Sequence, residues 1–219
     1  MYVISGDAGA GKDTVGAMLA EELKVGTYAL ANPIKALLKA LFNIPEHQME
    51  DRAYKEMEMT YHVDVTSLEE AGMLYNELGL DKYQEFHDAW EEWIALFGLE
   101  ESGESMTTFR SLRTLMQLLG TEWGRSKSDT IWLDLAPESQ VITDVRFDNE
   151  AQYFKNKNYR VIEVVLPGLE KIPSSGHASE AGICPSLIDT VLINDGNLLD
   201  LRTKAITIAA NGDGPLGVL

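Results

Sequence analysis

The sequence contains little cysteine, few cations and no long apolar run. Its single cysteine, Cys184, excludes an internal disulfide and a cysteine cluster for a metal, so we expect it to be a small apolar filler. No segment is apolar over the roughly 20 residues that a membrane-spanning helix needs. Met1 leads directly into a predicted strand without a secretory signal. We therefore expect a cytoplasmic protein that does not contact a membrane.

Cations are outnumbered by acids, with 18 Lys and Arg against 35 Asp and Glu and a net charge of −17. A nucleic-acid backbone needs a cationic protein face, so we expect no nucleic-acid partner. The block at 43–105 holds 17 of the acidic residues but only 3 of the basic ones. The rest of the chain is therefore nearly neutral and can bind a phosphorylated small molecule.

A glycine-rich loop near the start of the chain is the strongest motif that is present. Gly6-Asp7-Ala8-Gly9-Ala10-Gly11-Lys12 matches the phosphate-binding pattern G-x-x-x-x-G-K, between an apolar strand and a predicted helix. Glycines let the N–H groups of the loop point at phosphate oxygens, and the helix start adds further donors. Lys12 is then expected to contact the terminal phosphates of a nucleoside triphosphate. The next position, where Ser or Thr usually binds Mg²⁺, is Asp13, followed by Thr14.

The order of the predicted elements favours an α/β fold. With 219 residues and 45% apolar composition the chain can bury one sizeable core, so we expect a single α/β domain with an insertion over 1–219. Apolar periodicity predicts strands at 2–4, 27–31, 140–145, 160–166 and 190–193, and helices at 12–24, from Asn32, at 108–119, at 129–135 and from Leu198. This order is that of a doubly wound parallel sheet flanked by helices, which binds ligands at the carboxyl ends of its strands.

The acidic block is expected to form a helical insertion at 43–107. Its best-defined element is a helix at 81–97 that carries one aromatic stripe, made by Tyr83, Phe86, Trp90, Trp93 and Phe97. Such a stripe more often packs into a core than binds a partner. Residues 99–107 are expected to be an exit loop. A homodimer contact and a cover over the substrate both remain open as roles for this insertion.

Candidate phosphate ligands follow the insertion. Arg110, Arg113 and Gln117 are spaced to share one face of the helix predicted at 108–119, which Gly120 is expected to end. Arg125 and Lys127 come next, although two neighbouring cations are often only solvated.

Acidic and basic residues also follow the strand predicted at 140–145. Asp144 is expected at the carboxyl edge of the sheet, where P-loop enzymes bind Mg²⁺, and Arg146 is expected to point into the same crevice. Asp148 can either cap the next helix or act in the site. The loop at 167–182 is long enough to suggest that it closes over a ligand, and it contains His177, Ser179 and Glu180.

Four runs and one turn of the sequence carry a family resemblance. The runs are Gly11-Lys12-Asp13-Thr14, Tyr28-Ala29-Leu30-Ala31-Asn32-Pro33-Ile34-Lys35, Arg113-Thr114-Leu115-Met116-Gln117-Leu118-Leu119-Gly120-Thr121-Glu122 followed by Arg125, and Val141-Ile142-Thr143-Asp144-Val145-Arg146-Phe147-Asp148-Asn149-Glu150-Ala151. They resemble the deoxynucleoside monophosphate kinases of tailed bacteriophages. The turn Ile193-Asn194-Asp195-Gly196 is similar to the adenine-side turn of that family and of the related dephospho-coenzyme A kinases. Together these matches cover most of the chain outside the acidic block.

The resemblance implies a nucleoside monophosphate kinase-like fold, ATP and Mg²⁺ as cosubstrates, and phosphorylation of deoxynucleoside 5′-monophosphates in the host cell cytoplasm. The implied nucleotide site comprises Gly6, Ala8, Gly9, Ala10, Gly11, Lys12, Asp13, Thr14, Asn194 and Gly196, with Asp13, Thr14 and Asp144 at the metal. The implied catalytic residues are Lys12, Asp13, Arg125, Lys127 and Arg146. The implied acceptor site comprises Lys35, Arg110, Arg113, Gln117, Thr121, Trp123, Trp132, Asp144 and Asp148, with the two tryptophans as walls that stack on the base.

Other functions remain open at this point. The chain can be a P-loop kinase of another small phosphorylated metabolite, similar to the dephospho-coenzyme A kinases, or a non-catalytic nucleotide-binding switch. A switch uses the same loop but does not need five additional cations around an acceptor site, and a purely structural protein needs neither. An assay for diphosphate products therefore separates the alternatives.

Overall fold

The computed structural model describes residues 1–169 and 182–211. Within these ranges the strands are β1 (Tyr2–Ser5), β2 (Thr27–Ala29), β3 (Glu58–Val63), β4 (Glu100–Ser102), β5 (Ser105–Ser111), β6 (Val141–Thr143), β7 (Arg160–Val165) and β8 (Thr190–Ile193). The α-helices are α1 (Lys12–Leu23), α2 (Asn32–Phe42), α3 (Glu46–Glu50), α4 (Arg52–Glu56), α5 (Val65–Glu77), α6 (Phe86–Phe97), α7 (Leu112–Gln117), α8 (Arg125–Lys127), α9 (Asp148–Asn156) and α10 (Leu198–Asn211). Short 3-10 turns lie at Leu80–Lys82 and Pro185–Leu187, and a π-helix lies at Leu118–Gly124.

Two compact units make up the chain. The first consists of Met1–Leu30 and the described residues from Ala136 onward, and the second consists of Ala31–Leu135. None of the helices in the described ranges is long and apolar enough to cross a bilayer.

The first unit is built on a five-stranded parallel sheet in the order β2-β6-β1-β7-β8. β1 lies at the centre, with Val3 opposite Ile142 on one side and Val161 on the other. All four residues of β1 are buried, as expected for the middle strand of a sheet covered on both faces. The unit is thus an α/β fold of the P-loop kinase type, and the predicted fold class is confirmed.

Helices α1 and α10 share the apolar core of this sheet. Val15 and Leu19 of α1 are fully buried, as are Ala205 and Ile208 of α10. Gly16 lets α1 approach β6 closely, since a Cβ at this position would lie 2.7 Å from the Thr143 methyl group. This close packing fixes the start of α1 relative to the carboxyl ends of the strands.

The second unit contains a three-stranded antiparallel sheet in the order β3-β5-β4. Its core is rich in aromatic side chains: Trp93 is fully buried and packs against Tyr75 and Trp123 with ring centroids 5.9 and 5.2 Å apart. Trp93 and Phe97 are the buried end of the predicted aromatic stripe. The packing interpretation of that stripe is therefore correct for its best-buried members.

The expected helical insertion at 43–107 needs correction in two respects. Strands β3 and β4 and the first part of β5 lie within it, and the compact unit extends to Ala31 and Leu135. The expected exit loop at 99–107 is instead the β4–β5 hairpin, which turns at Gly103 with φ +64°. β4 consists of three exposed polar residues, so the sequence shows little strand periodicity there.

Three helix predictions are also wrong. The helix expected at 108–119 begins only at Leu112, because β5 continues through Ser111. Gly120 does not end it, since the chain continues as the π-helix and α8. Residues 129–135 form turns, not a helix. Residues 170–181 of the expected closing loop, with His177, Ser179 and Glu180, lie outside the described ranges.

Candidate active site

The loop between β1 and α1 has the conformation that its glycines predict. Gly6, Gly9 and Gly11 have φ of +137°, +87° and +97°, a region that side chains disfavour. A Cβ at Gly6 would lie 2.3 Å from the carbonyl oxygen of Val164 on the neighbouring strand β7. Glycine is therefore required at this position for the loop to approach the sheet edge.

Asn194, directly after β8, braces this loop. Its Nδ2 donates to the carbonyl oxygen of Ala10 at 2.9 Å, and its backbone N–H donates to Val165 at 2.7 Å. A Cβ at Gly11 would lie only 2.8 Å from the same Nδ2. Gly196 is packed in a similar way, since a Cβ there would lie 2.6 Å from a carboxylate oxygen of Asp200. Asn194 thus supports the loop backbone from a distant strand.

The start of α1 offers donors to an anion. Gly11 is its N-cap residue, and no side chain of the described ranges caps the helix. Lys12 donates from Nζ to the carbonyl oxygen of Asp7 at 2.8 Å, which folds its side chain back over the loop. Asp13 and Thr14, in the first turn, are exposed. An uncapped helix start beside a lysine is a favourable place for phosphate oxygens.

The electrostatic environment of Lys12 also favours an anionic ligand. Burial lowers the pKa of Lys12, and the positive charge of Arg146 lowers it further, while Asp13, Asp144 and Asp7 oppose the shift. Lys12 and Arg146 therefore lie near enough to repel each other. Arg146 is exposed and forms no ion pair within the described ranges. Two neighbouring cations of this kind suit a polyanionic ligand.

Asp144 follows β6 in the left-handed conformation, with φ +66°. Its Oδ1 accepts a hydrogen bond from the backbone N–H of Leu30 at 2.8 Å, which ties the end of β6 to the end of β2. Burial, and then the charge of Asp144, raises the pKa of Tyr28 to about 12. The carboxylate thus lies near Tyr28 and Lys12, at the carboxyl edge of the sheet where the sequence predicted it.

Glu150, and not Asp148, makes the capping contacts at the start of α9. The N-cap residue of α9 is Phe147, and the Oδ1 of Asp148 accepts from the backbone N–H of Cys184 at 2.7 Å. Glu150, which is only 8% exposed, accepts at Oε2 from the N–H groups of Arg146 (2.9 Å) and Phe147 (3.2 Å). Glu150 was missed, although an acid at the third helical position is a known capping signal. It fixes the backbone that carries Arg146.

Cys184 is exposed, with its Sγ 3.2 Å from the hydroxyl of Ser186. The prediction of a buried apolar filler is therefore wrong. Its backbone contact to Asp148 holds it at the surface.

In the second unit, Arg110 and Arg113 do not share a helix face as predicted. Arg110 belongs to β5, opposite Met59, whereas Arg113 belongs to α7, because Ser111 caps that helix by accepting from the N–H of Thr114 at 3.1 Å. The Arg110 guanidinium lies beside Gly98, 3.1 Å from where a Cβ would sit. A strand that changes directly into a helix separates the two arginines.

Acids of the second unit pair with three of the candidate cations, and the sequence did not reveal these partners. Arg113 pairs with Glu56, Lys35 with Glu50 at 3.3 Å, and Lys127 with Glu92 at 2.7 Å. The hydrogen bonds from Lys127 and Gln84 lower the pKa of Glu92. These pairs are partly exposed, so each contributes little to stability but restricts the side chain of the cation.

The candidate base-binding residues divide into two classes. Gln117 of α7 and Thr121 of the π-helix are partly exposed. Trp123 and Trp132 are only 2% and 7% exposed and belong to the apolar core of their unit, with ring centroids 6.3 Å apart. Because other side chains of this unit cover them, the expectation that they stack on a base needs correction.

Comparisons with known proteins agree with the resemblance found in the sequence. The family model described as deoxynucleotide monophosphate kinase matches residues 1–205. The chain is 28% identical to a deoxynucleoside-5′-monophosphate kinase of Escherichia phage T5, over 87% of this chain and 88% of that protein. It is 25% identical to a deoxynucleotide monophosphate kinase of Escherichia phage RB69, over 93% of this chain and 97% of that protein.

Proposed function

Because the chain belongs to the deoxynucleotide monophosphate kinase family, we propose that it transfers the γ-phosphoryl group of ATP to a deoxynucleoside 5′-monophosphate. The products are ADP and a deoxynucleoside diphosphate. The names of both phage relatives support this acceptor. One structural observation carries the proposal: the glycine loop places Lys12 at an uncapped helix start, within electrostatic reach of Arg146.

The first unit contains the groups proposed to bind the donor. Backbone N–H groups of the loop and of the first turn of α1 bind the β- and γ-phosphates, and Lys12 adds a positive charge that follows the transferring group. Asn194 keeps the loop in place through Ala10. Phosphoryl transfer depends on positioning and charge neutralisation, which these groups provide without covalent chemistry.

Asp13, Thr14 and Asp144 are the residues proposed to hold Mg²⁺. The described ranges contain no cluster of three or more acidic, His or Cys side chains that could bind a metal by themselves. This fits Mg²⁺, which proteins usually bind through one or two carboxylates together with substrate phosphates. Bound in this way, Mg²⁺ supplies positive charge to the phosphate oxygens. One oxygen of Asp144 bonds to Leu30, which holds the carboxylate in one orientation.

The acceptor ligands are proposed from the chemistry of the individual side chains. Arg110 and Arg113 can bind a phosphate, since a guanidinium donates two parallel hydrogen bonds to such an oxyanion. Lys35 is a further phosphate ligand, and Arg146 serves the same purpose in the first unit. Arg125 and Lys127 are proposed to stabilise the charge on the transferring group. Gln117 and Thr121 remain as the candidates that recognise the base.

The acidic residues of the second unit and the cellular location of the protein also receive proposed roles. We assign the acidic residues of 43–107 to covering the substrate or to a homodimer contact. Hydrogen exchange decides between them: protection that changes with protein concentration supports the dimer, and protection that changes with the monophosphate supports the cover. The host cell cytoplasm, where ATP is present, is the proposed location, and no nucleic-acid partner is needed.

The direct test is an assay of the purified chain with ATP, Mg²⁺ and each of the four common deoxynucleoside monophosphates. We expect ADP and a deoxynucleoside diphosphate to form in equal amounts. A nucleotide-binding switch would instead bind ATP without forming the second product. Failure with all four acceptors, under conditions where ATP binds, would contradict the proposed reaction.

A further inference from the structure

The helical segment from Leu112 to Lys127 changes its geometry in the middle. It starts as α7, continues as the seven-residue π-helix Leu118–Gly124 and ends as α8. π-Helices are rare, usually span a single turn and often occur at functional sites. A π-helix of this length needs support from neighbouring side chains.

Trp132 supplies one such contact. Its indole Nε1 donates to the carbonyl oxygen of Gly120 at 2.7 Å, within the π-helix. Both residues are buried, so the indole N–H and this carbonyl would each lose a partner in an apolar environment if the bond were broken. The bond therefore favours the conformation of the π-helix that presents the Gly120 carbonyl to Trp132.

Two glycines, four positions apart, make this packing possible. A Cβ at Gly124 would lie 2.5 Å from Cζ2 of Trp132, so the indole ring rests directly on the backbone. A Cβ at Gly120 would lie 2.7 Å from Cδ1 of Ile34. The side chains of Ile34 and Trp132, which belong to the same unit, thus pack directly on the backbone of the π-helix at Gly120 and Gly124.

The π-helix determines where the next cations point. Arg125 follows Gly124 directly, and Lys127 lies two residues later, with its Nζ on Glu92. A helix with i→i+5 hydrogen bonds turns less per residue than one with i→i+4 hydrogen bonds. If the same segment became α-helical, Arg125 and Lys127 would therefore point in other directions.

We propose that Trp132 is a positioning residue, which stabilises the π-helix through its bond to Gly120 and so sets the direction of Arg125 and Lys127. This inference rests on the proposed function, in which these two cations stabilise the transferring phosphoryl group. It replaces the base-stacking role predicted for Trp132 from sequence. Trp132 acts through the backbone and needs no contact with the substrate.

The test compares two conservative substitutions of buried tryptophans. Trp132→Phe keeps an aromatic ring but removes the N–H donor. Trp93→Phe is the matched control, because the Trp93 indole nitrogen is buried and has no hydrogen-bond partner within the described ranges. We expect kcat of Trp132→Phe to fall about fivefold or more, the effect of one buried hydrogen bond, with the KM for ATP unchanged. Trp93→Phe, whose ring also packs against Trp123 of the π-helix, should lower kcat less than Trp132→Phe does.

Amide hydrogen exchange gives a readout that does not depend on activity. We expect exchange at 118–127 to become faster in Trp132→Phe than in Trp93→Phe, which alters a ring contact with Trp123 but removes no hydrogen bond to the π-helix. If Trp132→Phe fails to fold, Gly124→Ala carries the test, because its methyl group displaces the indole from the same backbone. A normal kcat together with normal exchange in whichever variant folds would overturn the inference.

Two further variants separate this inference from the proposed function. Arg125→Ala and Lys127→Ala are both expected to lower kcat. Normal turnover in both would overturn the role assigned to these cations, and the inference with it. Loss of turnover in both, with parent-like kcat and exchange in Trp132→Phe, would overturn the inference alone.

Discussion

Asn194 donates from its side-chain amide to the carbonyl oxygen of Ala10 at 2.9 Å, and so joins the end of β8 to a loop 184 positions earlier in the chain. The conformation of the glycine loop is therefore supported by Asn194 as well as by its own glycines. The backbone N–H of Asn194 bonds to Val165, which fixes the amide relative to the sheet. This arrangement suggests that loss of the Asn194 side chain weakens donor binding more than it weakens the fold.

We expect Asn194→Ala to raise the KM for ATP about fivefold, since one hydrogen bond to the loop contributes about 1 kcal/mol. Steady-state kinetics with ATP as the varied substrate measure this. Asn197→Ala is the control: its Oδ1 accepts from the N–H groups of Leu199 and Asp200 and so caps α10. That variant should lose about 1 kcal/mol of stability with an unchanged KM. Equal KM values in both variants would contradict the bracing role of Asn194.

Replacing Lys12 should lower the activity of the protein but raise its thermal stability. Lys12→Met should lower kcat about 100-fold or more, because a charge that stabilises the transition state is lost. The same variant should raise the melting temperature of the nucleotide-free protein, since burial and Arg146 lower the Lys12 pKa and make its charged form unfavourable in the fold.

The pH dependence of this stabilisation follows from the sign of the shift. A lysine with a lowered pKa destabilises the fold fully at pH values below its folded pKa, and the destabilisation fades as pH rises from that value to the pKa of the unfolded chain. The difference in melting temperature between Lys12→Met and the parent should therefore narrow toward alkaline pH. A difference that widens with rising pH, or normal turnover of the variant, would contradict the placement of Lys12.

Two substitutions of Asp144 distinguish its proposed role at the metal from its structural role. Asp144→Asn removes the charge but keeps an oxygen for the N–H of Leu30, whereas Asp144→Ala removes both. We expect both variants to need more Mg²⁺ for half-maximal rate. Only Asp144→Ala should lose stability, by about 1–3 kcal/mol, because the amide of Leu30 loses its partner. A magnesium titration of Asp144→Asn that matches the parent would exclude the metal role.

Choice of the acceptor should depend on the sugar more than on the base. Arginines that bind the acceptor phosphate cannot distinguish bases, and the burial of Trp123 and Trp132 leaves Gln117 and Thr121 as polar candidates for that task. We expect more than one deoxynucleoside monophosphate to be phosphorylated, and ribonucleotides to be poorer by at least about tenfold, or roughly 1.4 kcal/mol. Comparing kcat/KM for matched deoxyribose and ribose pairs measures this. A ribonucleotide that proved the best acceptor would contradict it.

The features predicted correctly from sequence depend on short-range patterns. The glycine loop lies between a strand and a helix that are adjacent in the chain, so the spacing of Gly6, Gly11 and Lys12 was enough to place it. Asp144 was placed correctly at the edge of the sheet for the same reason, since it directly follows an apolar strand. Parallel strands buried on both faces are continuous apolar runs, which made β7 and β8 easy to find.

The features that were missed depend on contacts between distant residues. The periodicity of Arg110, Arg113 and Gln117 is compatible with a helix, but pairing of β5 with β3 keeps Arg110 in a strand. Gly120 looked like a helix end because glycine often has positive φ there, whereas here it is required for close packing against Ile34. No local signal distinguishes these two uses of glycine.

The exposed thiol of Cys184 has a practical consequence for work on this protein. It is the single cysteine of the chain, so a thiol-reactive dye labels one known position without any substitution. Its backbone N–H bonds to Asp148, at the start of the helix that follows Arg146, so a dye on Cys184 reports on the first unit. The same thiol can oxidise between two copies of the chain and create a covalent dimer. The oligomeric state should therefore be measured with a reducing agent or with Cys184→Ser. Only a dimer that persists under those conditions can be attributed to the acidic residues of 43–107.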